Sequence, residues 1–135
     1  MTRGYSNNNP LNIRHSNDIF QGEIKGSDAA FKTFQTMSYG YRAAFVTLAT
    51  YNTRGWNTIE KIITHWAPPT ENDTHRYIAT VVKISGIEKD TELRLTDGIC
   101  YILIIYAMSF VENGINADLL DIKTGLHLQN KITIP

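Results

Sequence analysis

The sequence predicts an α+β fold, in which a small extended region precedes a bundle of four to five helices. Residues 1–37 are rich in Asn, Gly and Ser and contain only short apolar pieces, whereas from Ser38 onward apolar residues recur three or four positions apart. A chain of 135 residues is long enough for one core and leaves little room for a second. We therefore expect a single domain over 1–135, with an extended or β-hairpin region at 1–37 and a helical region at 38–135.

Three short segments of the first region are predicted to be extended. They are LNIRH (11–15), DIFQGEIK (18–25) and AFKTFQT (30–36). In IFQGEIK, alternating apolar and polar residues flank Gly22, which is typical of a hairpin turn.

The helical region begins with two helices. The first starts at Ser38, carries Tyr41, Phe45 and Leu48 on one side and stops at Gly55. The second is predicted to be capped by Asn57, with Glu60 at capping-box spacing, and to carry apolar residues as far as Trp66.

Three further helices follow. The third spans about 73–84 and ends at Gly86. The fourth, 97–113, is apolar on all sides and is therefore predicted to be central. The segment NADLLDIKTGL permits a short fifth helix before an extended tail.

The turn WAPPTENDTHRY (66–77) allows two interpretations of its carboxylates. Pro68 and Pro69 cannot lie inside a helix, so one helix stops before them and another starts near Asn72 or Asp73. Asp73 has the short oxygen-bearing side chain of a helix cap. Glu71 suits either the helix dipole or chemistry.

Charge and motif content exclude several classes of function. Lys plus Arg equals Asp plus Glu at 13 each, which argues against a general nucleic-acid binder. One cysteine excludes an intrachain disulfide, and the four histidines lack the spacing of a zinc helix, so we expect neither a metal nor a cofactor.

No membrane insertion is expected. The apolar run ICYILIIYAMSFV is shorter than the roughly twenty residues that a span requires. The start, MTRGYSNNNP, has no apolar stretch and is not a signal peptide. We expect synthesis in the cytoplasm, and a separate route, in a virion or by release, to any target outside the cell.

The polar and aromatic residues suit carbohydrate chemistry. Sugars stack on aromatic rings and hydrogen-bond to amides and guanidinium groups, and glycosidic cleavage needs a protonated carboxylic acid. The alternative is that tyrosines fill the core and asparagines form turns. The candidate substrate-binding residues are Asn9, Asn12, Arg14, Tyr39, Trp66, Asn72 and Tyr77.

Three blocks of sequence resemble small lysozyme-like proteins of phages and prophages. The blocks are RGYSNNNPLNIRHS, FKTFQTMSYGYRAAFVTLATY and NTIEKIITHWAPPTENDTHRYIATV, which together cover about residues 3–86. Leu11 departs from the glycine usual in the family pattern. The resemblance implies a lysozyme-like fold, the glycan strands of peptidoglycan as substrate and other virion proteins as partners.

A more distant resemblance is to bacterial glucosaminidases and lytic transglycosylases. Their catalytic glutamate lies on a helix ahead of an Asn-Asn element, but here no acidic residue precedes Asp18. A second carboxylate of those enzymes lies in the hairpin, at a place comparable to that of Glu23.

These considerations assign Glu23 as the general acid of a peptidoglycan glycosidase or transglycosylase, with Glu71 or Asp73 orienting water or stabilising the transition state. Trp66, Tyr39 and Tyr77 are the expected substrate platforms. The alternative is a catalytically inactive virion structural or glycan-binding protein that retains the lysozyme-like fold.

Overall fold

The computed structural model describes residues 1–135, which form six helices and a two-stranded antiparallel sheet. The elements are α1 (Arg3–Ser6), β1 (Glu23–Ile24), β2 (Thr33–Phe34), α2 (Met37–Thr53), α3 (Ile59–Trp66), α4 (Thr74–Ser85), α5 (Gly98–Asn113) and α6 (Leu119–His127). The predicted α+β class is confirmed, whereas the lysozyme-like fold stays a prediction.

The five longer helices lie where apolar periodicity places them. Asp73 caps α4, because its side chain accepts a hydrogen bond from the backbone N–H of Arg76. The predicted Asn57 cap is wrong: Thr58 caps α3 and accepts from the N–H of Lys61, while the Asn57 amide points to the carbonyl oxygen of Leu93. Helix α1 was not predicted, because four residues are too few to show a helical period.

The strands are shorter than predicted and form only two residue pairs. Glu23 pairs with Phe34 and Ile24 pairs with Thr33, while the segment 11–15 contributes a single bridge from Arg14 to Phe31. The hairpin turn predicted at Gly22 is wrong, since the paired strands are connected by residues 25–32. Gly22 instead has a left-handed φ of 82°.

Helix α5 is central, as its composition predicts. It contacts α1, α2, α4 and α6 and buries Tyr101, Ile104, Ile105 and Met108 completely. Its apolar surface is not buried on every side, because Ile99 is 60% exposed. None of the helices combines the length and the apolar character that crossing a membrane requires.

The asparagine run of the N-terminal loop (residues 7–12) joins this loop to the rest of the fold. Asn8, with a φ of 49°, donates to the carbonyl oxygen of Phe34 on β2. Asn9 is fully buried, and its amide nitrogen donates to the carbonyl oxygens of Ile13 and Lys32, each at 2.9 Å. These bonds connect the asparagine side chains to the backbone of the segments around the two short strands.

Helix α2 packs so closely on this loop that Gly40 leaves no room for a side chain. A Cβ there would overlap the carbonyl oxygen of Asn8 and lie 2.7 Å from Cδ of Pro10. Glycine inside a helix usually costs about 1 kcal/mol relative to alanine, so its presence here reflects the close approach.

We expect Gly40→Ala to lower the free energy of unfolding by about 1–3 kcal/mol, because the loop must move away from α2. Urea unfolding followed by circular dichroism measures this change. Thr50→Ala, at an exposed position of the same helix, is the control and should change stability by less than about 0.5 kcal/mol. A stabilising effect of Gly40→Ala would contradict the close contact.

Candidate functional site

The carboxyl group of Glu112 is the centre of the candidate site. Glu112 lies in the last turn of α5 and is partly buried. Its Oε1 accepts a hydrogen bond of 2.8 Å from the side-chain amide of Asn12, and its Oε2 accepts one of 2.9 Å from the hydroxyl of Tyr77. Glu112 takes part in none of the four ion pairs of the chain.

Burial controls the protonation of Glu112. Desolvation raises the pKa of this carboxyl above its ordinary value, and the hydrogen bonds from Asn12 and Tyr77 lower it by less. Burial also raises the pKa of Tyr77 well above its usual range, so its hydroxyl remains a donor. The result is a carboxyl that holds its proton to a higher pH than an exposed glutamate does.

The amide of Asn12 can serve a protonated Glu112 as well as an ionised one. Asn12 has a φ of 55°, and its Oδ1 is buried without a hydrogen-bond partner. This oxygen shares its surroundings with Oδ1 of Asn113 and the carbonyl oxygen of Asn9, both next to Gly4. A half-turn of the amide would exchange its nitrogen and oxygen, and the oxygen would then face Glu112 as an acceptor.

A cavity of about 510 Å³ lies beside Glu112. Three residues that the sequence predicted for the site, Asn72, Asp73 and Tyr77, line it together with Glu112. The other lining residues are Arg76, Thr80, Phe110, Val111 and Gly114. The structure thus places one predicted catalytic carboxylate, Asp73, on the same cavity as a carboxyl that the sequence analysis did not single out.

A second, larger groove with a volume of about 700 Å³ lies between the segment 12–21 and α2. We call it the arginine groove. Its lining residues are Asn12, Ile13, Arg14, His15, Ser16, Asp18, Ile19, Phe20, Gln21, Arg42, Val46, Thr47, Thr50, Tyr51, Arg54 and Trp66. Asn12 therefore belongs to the groove and also donates to Glu112. The predicted binding residues Arg14 and Trp66 lie in this groove.

Aromatic rings cluster where α3 meets the groove. The rings of Trp56 and His65 stack with centroids 3.6 Å apart, and Tyr51 meets Trp56 edge-on at 5.0 Å and Trp66 at 6.2 Å. Sequence analysis named only Trp66, because Trp56 lies in a turn with no motif around it.

Glu23, the predicted general acid, is the counter-ion of a buried lysine. The Nζ of Lys32, whose side chain is 0% exposed, lies 3.0 Å from Oε1 and 3.1 Å from Oε2 of Glu23. The same ammonium donates to the carbonyl oxygen of Asp18 at 2.8 Å. The carboxylate that the sequence analysis assigned as the general acid is therefore one half of an ion pair with a buried ammonium.

The remaining predicted residues, Glu71, Tyr39 and Asn9, do not line the cavity of Glu112. The side chain of Glu71 is exposed and forms no hydrogen bond, and the ring of Tyr39 packs on the backbone of Gly22. Asn9 is fully buried in the N-terminal loop, where its side chain is occupied by backbone groups. Substrate binding by Tyr39 or Asn9 stays a prediction.

The fold and the site define a small, mainly helical α+β protein with a partly buried carboxyl beside a cavity. No family model matches the sequence. Over 119 residues the chain is 40% identical to Protein P5 of Pseudoalteromonas phage PM2, and the match covers 84% of this chain and 72% of that protein. The chain therefore belongs to the same family as this phage protein, which confirms the phage part of the resemblance.

We expect Glu23→Gln to lower the free energy of unfolding by about 3–5 kcal/mol, because it leaves the buried ammonium of Lys32 without its anion. Urea unfolding measures the loss. Glu92→Gln, at an exposed carboxylate, is the matched control and should have little effect. Equal stabilities of the two variants would show that Lys32 does not depend on Glu23.

A second expectation concerns the pH dependence of stability. Because the pKa of Glu112 is raised in the folded state, its contribution is fully present below the ordinary value of 4.5 and is lost as pH rises through the raised pKa. Glu112→Gln removes this loss, so the variant should gain stability relative to the unmodified protein as pH increases.

Urea unfolding of both proteins between about pH 4 and about pH 8 measures this difference. Glu71→Gln serves as the control, because the Glu71 side chain is exposed and forms no hydrogen bond. A constant difference between Glu112→Gln and the unmodified protein would contradict a raised pKa.

Proposed function

We propose that the protein is a phage enzyme that cleaves the glycan strands of bacterial peptidoglycan, with Glu112 as the general acid. The observation that carries the proposal is the partly buried carboxyl itself, which lies beside a cavity and accepts from two neutral hydrogen-bond donors. It forms no ion pair, although Arg76 lines the same cavity. The resemblance of residues 3–86 to lysozyme-like phage proteins supplies the substrate class.

The proposed chemistry begins with proton transfer from Glu112. Cleavage of a glycosidic bond requires an acid that is still protonated near neutral pH and gives its proton to the leaving oxygen. The raised pKa of Glu112 favours the protonated form. As the proton leaves, the hydroxyl of Tyr77 and the amide of Asn12 stabilise the carboxylate that forms.

Asp73 is the candidate second carboxylate. It lines the cavity of Glu112, so it is available to orient water or to stabilise the oxocarbenium-like transition state. A lytic transglycosylase would need only Glu112, because a hydroxyl of the sugar attacks in place of water. The two mechanisms give different products: reducing ends from hydrolysis and anhydro-sugar ends from transglycosylation.

The arginine groove would hold the glycan on the other side of Asn12. Sugar rings pack on aromatic faces, and Trp66 and Tyr51 line the groove. The predicted binding residues Asn12 and Arg14 line it as well. Asn72 and Tyr77 would contact substrate from the Glu112 cavity.

The rival is a virion structural or glycan-binding protein without activity. One observation favours it: the two oxygens of Glu112 connect α5 to the N-terminal loop through Asn12 and to α4 through Tyr77, which is useful to the fold without any catalysis. Family membership with a phage protein is compatible with either function.

We expect Glu112→Gln to reduce the release of soluble fragments from purified peptidoglycan by about 10²–10⁴-fold, the usual contribution of a general acid. Mass spectrometry of the fragments measures the loss and identifies the ends produced. Asp121→Asn is the matched control, because burial also raises the pKa of this carboxyl but it lies on neither cavity.

Circular dichroism must show that both variants are folded. Unchanged turnover in Glu112→Gln would exclude Glu112 as the acid. If the folded, unmodified protein releases no fragments from several types of peptidoglycan, the enzyme proposal is rejected in favour of a virion structural or glycan-binding protein without activity.

A further inference from the structure

Three of the six arginines of the chain line a single groove. Arg14 lies on the N-terminal segment, Arg42 lies within α2, and Arg54 follows the last residue of α2. Asp18 is the one carboxylate among the lining residues. For a chain with zero formal net charge, this is a local concentration of positive charge that the overall composition conceals.

The guanidinium groups of these arginines are not used by ion pairs. None of the three forms an ion pair, and the side chains of Arg14 and Arg54 form no hydrogen bond either. Each of these two instead lies over an aromatic ring, Arg14 at 5.1 Å from the centroid of Phe31 and Arg54 at 5.5 Å from that of Trp56. Such stacking holds the planar group while leaving its N–H donors free.

Arg42 is oriented differently. Its Nε donates to the carbonyl oxygen of Leu128 at 3.0 Å, which fixes the side chain against the segment that follows α6. The terminal nitrogens of Arg42 form no hydrogen bond within the chain. The groove therefore offers three sets of guanidinium donors, of which one is anchored and two are held by stacking.

We propose that the arginine groove binds the carboxylate groups of an acidic glycan, so that the protein selects carboxylate-bearing strands over neutral ones. This inference rests on the proposed function, and it specifies the substrate of the same site. Guanidinium groups bind carboxylates through paired N–H donors, which neutral sugars cannot match.

The surroundings of the arginines favour a glycan over a nucleic acid. Ile13, Phe20 and Trp66 lie among them and provide apolar surface for sugar rings and their substituents. A nucleic-acid site would need a positive surface that follows a run of phosphates, whereas here the charge is confined to one groove. Asn12 lines this groove and also donates to the carboxyl of Glu112 at 2.8 Å, whereas Glu112 itself lines the neighbouring cavity.

The test measures the binding of four ligands. The Glu112→Gln variant is the parent protein for these measurements, because it should not cleave the glycans. The ligands are soluble peptidoglycan strands with stem peptides, the same strands after an amidase has removed the stems, neutral chitin oligosaccharides and a single-stranded oligonucleotide. Isothermal titration calorimetry gives each Kd. The probe variant adds Arg14→Gln and Arg54→Gln, and Arg94→Gln is the matched control because Arg94 is 82% exposed and lies outside the groove.

We expect the double arginine variant to bind acidic strands at least about tenfold more weakly, the equivalent of one lost charged hydrogen bond. Arg94→Gln should leave the Kd unchanged, and chitin oligosaccharides should bind more weakly and independently of the arginines. Arginine-dependent binding to strands with stems assigns the carboxylates of the peptide. Arginine-dependent binding to strands without stems assigns the lactyl carboxylate of the sugar.

Three results would overturn the inference: equal affinity of the double variant and its parent for acidic strands, equal affinity for acidic and neutral glycans, or arginine-dependent binding of the oligonucleotide alone. Fragment release by the unmodified protein is independent of these readouts. Release without arginine dependence would reject the acidic-glycan groove alone, whereas arginine-dependent binding without release would reject only the enzyme.

Discussion

The attachment of the N-terminal loop to the end of α5 is the interaction on which the site depends. The side chain of Asn113 donates to the carbonyl oxygen of Pro10 at 2.7 Å and accepts from the hydroxyl of Thr2 at 2.8 Å. Both groups are far from Asn113 in sequence, and Leu11 of the same loop is buried in the hydrophobic core. These buried and partly buried bonds hold Asn12 in place relative to Glu112. They also hold the arginine groove, which Asn12 lines, in place relative to the proposed acid.

Sequence predicts the helices of this protein much better than its strands. Helical periodicity over eight or more residues and the stop at Gly86 define α4, and the capping interpretation of Asp73 is confirmed. Each strand has only two residues, so alternation has no length over which to show itself. The extended region is held instead by side chains such as Asn9 and Lys32, whose long-range partners no local pattern reveals.

The site was only partly predictable for a related reason. The resemblance directed attention to a carboxylate before or within the hairpin, where Glu23 is instead bound to a lysine from the neighbouring strand segment. Glu112 did leave a signal: it is the only charged residue of α5, and Ile105, Met108 and Ser109, at seven, four and three positions before it, are fully buried. A lone carboxyl on the buried face of an apolar helix requires a partner or a function.

The two proposed parts of the site have opposite electrostatic requirements. An acid that must keep its proton cannot tolerate a nearby cation, because a positive charge lowers the pKa of a carboxyl. A groove that binds carboxylates needs those cations. Here burial is the main cause of the raised pKa of Glu112, and no arginine contributes to it. The three arginines of the groove line a different concave surface from Glu112, and the residue that connects the two is the neutral Asn12. Arg76 lines the cavity of Glu112 but forms no ion pair with it.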